Sequence, residues 1–546
     1  MTRFTVLIGI MLLTVGLLAC GGSSTPAVPT LPPLATLAPP AGQQQSAPAA
    51  QPPAGSAEEG VNMAVEVPQQ LRGNDEPAPP PWPTFTPGPK PQSKYRLLYA
   101  RTRRFHTAGA DGSDSQALEL SPKPPQLLTA SYKDAGRGWL SPDGRSLLYF
   151  AGQESQLWLA NLDSLENVLL AERMIPPEME GNADSIRILM DQEMAWTGDG
   201  ARAALVGVSD SVDLYIVDTA GARLTRVTQD ELRESNPQWS PAGQYLAYVA
   251  SDMDTGTQVM YVVDADTLQP TEIDLGPVRD ALGLEAAVNF LYAGQFAWAT
   301  DTQLVFYPST GTGEKPNGIW LYDPASGVAR PIVTDKIGDV AWSAKARAWV
   351  YSTTDEPGKL WLVRLDDPKP EALVEAEAYA PVWSPDGQSV LYSSGDPGGT
   401  EWGLGVVDLN GNSHTVAEGI TLIERETSEP GPAGKRYWSP DSETVLFATV
   451  GRDYGRADRA EGYGGEAGPD LENWWAVPAG GGEPRQITDL QKVFYLQEPA
   501  LSPDGTVWAF LGFSYTDRMQ HLYTMLRDGG HPHKVDTGIR WFEWLP

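Results

Sequence analysis

One short element recurs along the chain: "LSPDGRSLLYF" at 140, "WSPAGQYLAYVAS" at 239, "WSPDGQSVLYSS" at 383, "WSPDSETVLFAT" at 438 and "LSPDGTVWAFLG" at 501. Aligning on its first residue adds degenerate copies and places anchors at Leu140, Trp196, Trp239, Trp298, Trp342, Trp383, Trp438 and Leu501, spaced 41 to 63 residues apart. The shortest spacings match the roughly 40–45 residues of a four-stranded propeller blade, and the longer ones imply insertions. Within one repeat, "APVWS" at 380 reads as an inner strand and "SVLYSS" at 389 as its return, with Pro385, Asp386 and Gly387 closing the hairpin. Pro presets one turn residue, Asp offers an acceptor, and Gly takes positive φ. "WGLGVVDL" at 402 and "SHTVAE" at 413, joined by the Asn410-Gly411 turn signal, supply the third and fourth strands.

A small twisted sheet cannot bury both faces alone, so such units must stack around an axis. The expected fold is all-β, a single β-propeller of four-stranded blades over residues 95–546. Residues 95–120 read as second, third and fourth strands without an inner one, and "GIRWFEWLP" at 538 as an inner strand without its blade. Pairing the two ends gives eight complete repeats plus a composite, hence eight or nine blades, the degenerate anchors leaving the count open. The anchors, with Trp544 for the composite blade, are expected to wedge between neighbouring blades. Asp143 and Asp386 in the turns read as turn chemistry and not as catalytic acids.

The "WSPDG" and "LSPDG" elements, with "GGGEPRQIT" at 480–488, resemble the TolB-type propeller repeat, also found in propeller domains of prolyl oligopeptidases. The resemblance covers residues 95–546 and implies a propeller. It implies no single activity, because that family uses the scaffold for many partners. TolB itself carries an additional N-terminal domain; here a different kind of segment stands in that place.

Residues 1–20, "MTRFTVLIGIMLLTVGLLAC", start with Arg3, continue as an apolar run and end in Leu17-Leu18-Ala19-Cys20. These are the parts of a secretory signal. The last four residues resemble a bacterial lipobox, which implies cleavage before Cys20 and lipidation on it. Cys20 is the single cysteine of the chain, so neither a disulfide within the chain nor a Cys-based metal site is expected. Residues 21–94 hold 18 of the 48 prolines and no sustained apolar period. Such a segment cannot bury enough surface to offset chain entropy and is expected to be a disordered Pro-rich linker.

The formal charge is -31, and all but one of those net negative charges lie in residues 95–546. A surface so acidic repels phosphate backbones and anionic headgroups, which excludes nucleic acid as a partner and leaves the lipid anchor as the contact with membrane. No G-x-S-x-G elbow is present, and no residues remain for a hydrolase domain. His531 and His533 have no nearby acidic ligands, and Asp252, Asp254 and Gly256 lack the rest of a calcium loop and read as a hairpin tip. No catalytic residue, metal or cofactor is therefore expected.

In a propeller, the loops between strands two and three and those between blades share one face, and the "SPDG" turns lie on the other. The long segments, 173–192, 276–295, 419–436 and 451–473, all belong to the first class. Long loops on a rigid scaffold are where recognition concentrates. Residues 451–473 bring Arg452, Tyr454, Arg456 and Tyr463 up to Trp474, residue types favoured at interfaces. Either these five make contacts, or the loop is solvated and Trp474 packs within its strand. The expected function is binding or scaffolding: a monomeric, membrane-anchored lipoprotein at the cell envelope, with an envelope protein or glycan as partner. A glycan or small-ligand sensor, and an enzyme using carboxylates on the elaborated face, are the alternatives.

Overall fold

The computed structural model describes residues 89–129, 136–177, 183–191, 194–208, 212–283, 296–308, 317–354, 358–375, 377–395, 402–420, 435–450, 472–488, 490, 493–497, 499–514 and 517–546. The signal and Cys20 (1–20), and the linker up to residue 88, lie outside them. No helix among the described residues is long and apolar enough to cross a membrane.

The strands build antiparallel four-stranded units in chain order, each unit being one propeller blade. In blade 7 the order is Ala378–Trp383, Ser389–Ser394, Trp402–Asp408 and Ser413–Ile420, the four strands expected from the repeat. Blade 1 is composite. The chain's last strand, Phe542–Leu545, pairs with Arg96–Arg101, which continues through Arg104–Ala108 to Gln116–Ala117. The register sets Leu97 opposite Trp544 and Tyr99 opposite Phe542. Blades 2 to 9 follow, with inner strands beginning at Gly138, Ala195, Arg233, Phe296, Ile337, Ala378, Arg436 and Val493. The described residues therefore form nine blades, which resolves the count left open by the repeats. Blades 3 and 4 are fused into one eight-stranded sheet by a parallel pairing of Val212 with Arg233.

The core lies in the seams between blades. Val350 and Leu362 of blade 6 cluster with Ala378, Val390 and Tyr392 of blade 7. At the closure seam Leu97, Tyr99 and Trp544 of blade 1 cluster with Val507, Ala509 and Leu522 of blade 9. A bulge bends the inner strands of blades 4, 6 and 7, between Ser235 and Gln238, Ile337 and Val340, and Tyr379 and Val382. Pro237 and Pro381 sit inside it, where the ladder does not need their missing N–H.

The anchor tryptophans do more than wedge. Trp239, Trp298, Trp383, Trp438 and Trp544 each donate the indole N–H to a backbone carbonyl of the preceding blade: Ala195, Gln238, Ala341, Val382 and Ala500, at 2.9–3.2 Å. Every acceptor is the residue just before that blade's own anchor. Each bond is worth about 1 kcal/mol, and repetition around the ring fixes the spacing of the inner strands. Trp196 and Trp342 occupy the same register, but their Nε1 atoms have no acceptor among the described residues. Beside Trp342 lies an apolar void of about 30 Å³, lined by Phe296, Phe306, Val340 and Trp349.

Candidate functional site

The short-turn face is occupied with itself. In blade 7 the Ser384 hydroxyl donates to Asp386 Oδ1 (2.6 Å), which also accepts the Gln388 N–H, while the Ser389 N–H donates to Ser384 Oγ. Thr197 with Asp199, Ser141 with Asp143, Ser439 with Asp441 and Ser502 with Asp504 repeat the pattern at 2.5–2.7 Å. The Thr197 hydroxyl and the Ala201 N–H hold the Asp199 carboxyl below the usual carboxylate range. Burial opposes ionisation of Asp386, but the hydroxyls of Ser384 and Ser442 and the Gln388 N–H lower its pKa overall. These carboxylates are turn acceptors.

Adjacent turns also touch. A Cβ on Gly387, whose φ is +73°, would lie 2.9 Å from the Ala346 nitrogen of blade 6. Glycine is required there both by backbone conformation and by the neighbouring turn. In blade 8 the glycine is replaced by Ser442 at φ 66°, and its hydroxyl accepts the Asp386 N–H of blade 7 (3.0 Å). Ala242 of blade 4 likewise donates its N–H to Asp301 of blade 5 (2.8 Å).

On the opposite face the long segments differ in kind. Segment 173–192 contains the helix Ala183–Asp191, whose Leu189 and Met190 are buried with Met174, Ile175 and Leu205 over the seam of blades 2 and 3. Segment 276–295 begins as the helix Gly276–Leu282, which buries Val278 and Leu282 against Phe296, Trp298 and Trp320. Both helices pack on seams. At the end of segment 419–436, Arg436 donates to the Ala380 carbonyl of the preceding blade. Asp252 Oδ1 accepts the N–H groups of Asp254 and Thr255, the hairpin tip expected for that sequence. Among the described residues no group of three or more His, Asp or Glu is placed to hold a metal ion.

Arg452, Tyr454, Arg456 and Tyr463 lie outside the described residues. Trp474 lies inside them and is wholly buried. Tyr437 meets it edge-on at 5.7 Å, and Leu446, Ile487 and Trp508 complete its surroundings. A side chain with no exposed surface cannot meet a partner, so Trp474 belongs to the core between blades 8 and 9.

The group that departs most from a propeller core is one the sequence reading did not name. Glu234 stands five residues before the anchor Trp239, opposite Ala250 of the next strand. The same register holds Ile337 opposite Thr353, Ala378 opposite Ser394 and Leu496 opposite Gly512, all buried and apolar. Glu234 is equally buried, at 1 % exposure, and among the described residues neither carboxylate oxygen has a hydrogen-bond partner within ordinary bonding distance. Burial pushes its carboxyl up to about 8; the nearby Thr228 hydroxyl opposes the rise, and the charges of Asp230 and Asp213 add to it. Asp213 is wholly buried and paired with Arg226 at 2.6 Å. Above Glu234, Tyr248 and Tyr261 stack at 5.3 Å, each with its pKa raised, chiefly by burial and further by Glu234. Burial beside Tyr248 and Tyr261, with the charges of Asp213 and Asp230 close by, favours the protonated form of the Glu234 carboxyl.

No family model matches the chain, and no curated protein sequence matches it. Among solved structures, it is similar to dipeptidyl peptidase 4 of Porphyromonas gingivalis, with 12 % identity, TM-score 0.49, and coverage of 79 % of this chain and 64 % of that one. This chain thus spans less than two thirds of that peptidase. It is also similar to an oligogalacturonate lyase of Vibrio parahaemolyticus, with 12 % identity, TM-score 0.36, and coverage of 71 % and 95 %. TolB of Acinetobacter baumannii shares 14 % identity over 61 % of this chain and 66 % of its own, at TM-score 0.24. Two enzymes and TolB thus stand side by side, and the propeller assignment rests on the chain's own strand pairing.

Proposed function

We propose that the protein is a lipid-anchored, extracytoplasmic propeller of TolB-like repeats that binds an envelope protein through the face carrying its inter-blade connections. The observation that carries this reading is where the chain enters the propeller. Ser93 Oγ and the Lys94 N–H donate to Asp504 Oδ2 at 2.8 and 3.3 Å, and the Thr506 hydroxyl donates to Asp504 Oδ1 at 2.7 Å. Burial would raise the Asp504 pKa, but the hydroxyls of Ser502, Thr506 and Ser93 hold it far below the usual range, so this latch stays charged. A spacer running back to an acylated Cys20 leaves from the short-turn face. The connection face is then free of the point of attachment, where a partner can reach it.

Two measurements test the reading. Cys20→Ser is expected to move the protein from the membrane to the soluble fraction, since acyl chains supply the attachment; unchanged retention overturns the anchor. A photo-crosslinking residue on the connection face, at Met253, which is 63 % exposed, is expected to capture a partner on intact cells. The same probe at Gln388 on the short-turn face is expected to capture none. The reverse pattern assigns binding to the wrong face.

A further inference from the structure

We propose that the seam between blades 3 and 4 is a proton-operated hinge, held shut by a protonated Glu234 and loosened when that side chain ionises.

Three independent features of the geometry meet at this seam. First, the register comparison makes Glu234 a carboxyl in a slot that is filled by Ile337, Ala378 and Leu496 in blades 6, 7 and 9. Second, among the described residues neither of its buried oxygens has a hydrogen-bond partner within ordinary bonding distance, and the Thr228 hydroxyl offsets the burial only in part, a condition tolerable for a neutral acid and costly for an anion. Third, blades 3 and 4 are joined in one sheet at Val212 and Arg233, the residue next to Glu234. A change at this side chain therefore acts where strand Val212–Asp218 meets strand Arg233–Trp239.

Among the described residues that act on Glu234, none offers an unpaired positive charge. On the third strand of blade 3, Asp213 is ion-paired with Arg226, whose Nε also donates to the Thr228 carbonyl. In the connection between the blades lie Asp230 and Thr228, whose hydroxyl accepts the Leu214 N–H (2.9 Å). On blade 4 the neighbours are Tyr248 and Tyr261, and the charge of Glu272 acts on Tyr261. Within its own strand, Arg233 and Ser235 alternate to the other side. An ionised Glu234 would meet the negative charge of Asp213 and Asp230, and hydration is its route to stability. Water enters only if the blades part at this end. The opened seam would move the start of blade 4's inner strand and the 227–232 connection, both on the connection face.

The linkage has a definite sign. The closed form keeps its proton up to about pH 8, whereas an exposed glutamate releases it near 4.5. Between those limits the opening equilibrium rises about tenfold per pH unit. Hydrogen exchange on the full chain, corrected for the pH dependence of intrinsic exchange, reads this directly. Amides of 203–208, 212–217 and 246–250 are expected to lose about fiftyfold in protection between pH 6 and pH 8. Those of 390–394 and 404–407, in blade 7, are expected to hold theirs. Glu234→Leu, which installs the side chain of Leu496, should abolish the pH dependence at the seam, and the isosteric Glu234→Gln should do the same if the leucine variant fails to fold. Equal loss across both sets of amides would mean global destabilisation without a hinge and overturns the proposal. So does a seam whose protection is independent of pH, or a pH dependence that persists in both variants.

Discussion

A single side chain can hold two blades in register, as Ser442 does. It adopts the left-handed conformation at φ 66° that its counterparts Gly144, Gly200, Gly243, Gly387 and Gly505 occupy, at a steric cost on the order of 1 kcal/mol. The hydroxyl offsets that cost by accepting the Asp386 N–H from the neighbouring turn. Removing the hydroxyl while keeping the Cβ should therefore be worse than removing both. Ser442→Ala is expected to lose about 1–2 kcal/mol, and Ser442→Gly to fall within about 0.5 kcal/mol of the parent. Chemical denaturation of the three proteins checks the order; an alanine variant as stable as the parent would show that the inter-turn bond contributes nothing. The glycine of "SPDG" was legible as a turn residue, because positive φ is a local requirement. That the turn also presses on its neighbour was not, since Ala346 lies 41 residues before Gly387. Glu234 was hidden for a related reason. In "ELRESNPQW" it reads as one more charged residue of an acidic chain, and only alignment with Ile337, Ala378 and Leu496 marks its slot as apolar.

At the level of elements, the inner strand and its terminal tryptophan form the joint between blades. Trp438 and Trp342 separate the wedge from the hydrogen bond, because the first donates to Val382 and the second has no acceptor among the described residues. Substitution by Phe keeps most of the aromatic volume and deletes the N–H. Trp438→Phe is expected to cost about 1–3 kcal/mol, since the Val382 carbonyl loses a buried donor, and Trp342→Phe about 1 kcal/mol less than that. Melting curves of the pair measure the difference directly. Equal losses would show that packing volume alone sets the joint. The helices Ala183–Asp191 and Gly276–Leu282 are a second lesson at this scale. Length marked their segments as recognition loops, but Leu189, Met190, Val278 and Leu282 are turned into the seams. Elaboration of this face serves core packing.

For the molecule as a whole, closure by the two ends is the decisive contact. Strand Phe542–Leu545 supplies the inner strand of blade 1, and Trp544 donates to the Ala500 carbonyl of blade 9. Deleting residues 538–546 leaves the Arg96–Arg101 strand as an open edge on the axis side and removes Trp544 from the seam. The expected result is a loss of roughly 3 kcal/mol or more, with faster proteolysis within blades 1 and 9 than elsewhere. Thermal unfolding followed by limited digestion measures both. A truncated protein that melts like its parent would show that the ring does not depend on this strand. The latch of Ser93 and Lys94 on Asp504 lies at the same seam, so a pull on the chain before Ser93 would bear on blade 9 before it reached the first strand of blade 1.

The sequence by itself determined the architecture: the repeat, its strands, its turn chemistry and the complementarity of its two incomplete ends. These are matters of short range or simple periodicity. An alternating apolar run is a strand wherever it occurs, and Pro-Asp-Gly closes a hairpin without help from elsewhere. The tertiary structure alone decided the nine-blade count, the acceptor that each indole finds, the burial of Trp474 and the apolar slot around Glu234. Each of these depends on how far one blade stands from the next. That distance is set by closing a ring of nine units at once, a condition that no local window of the chain contains.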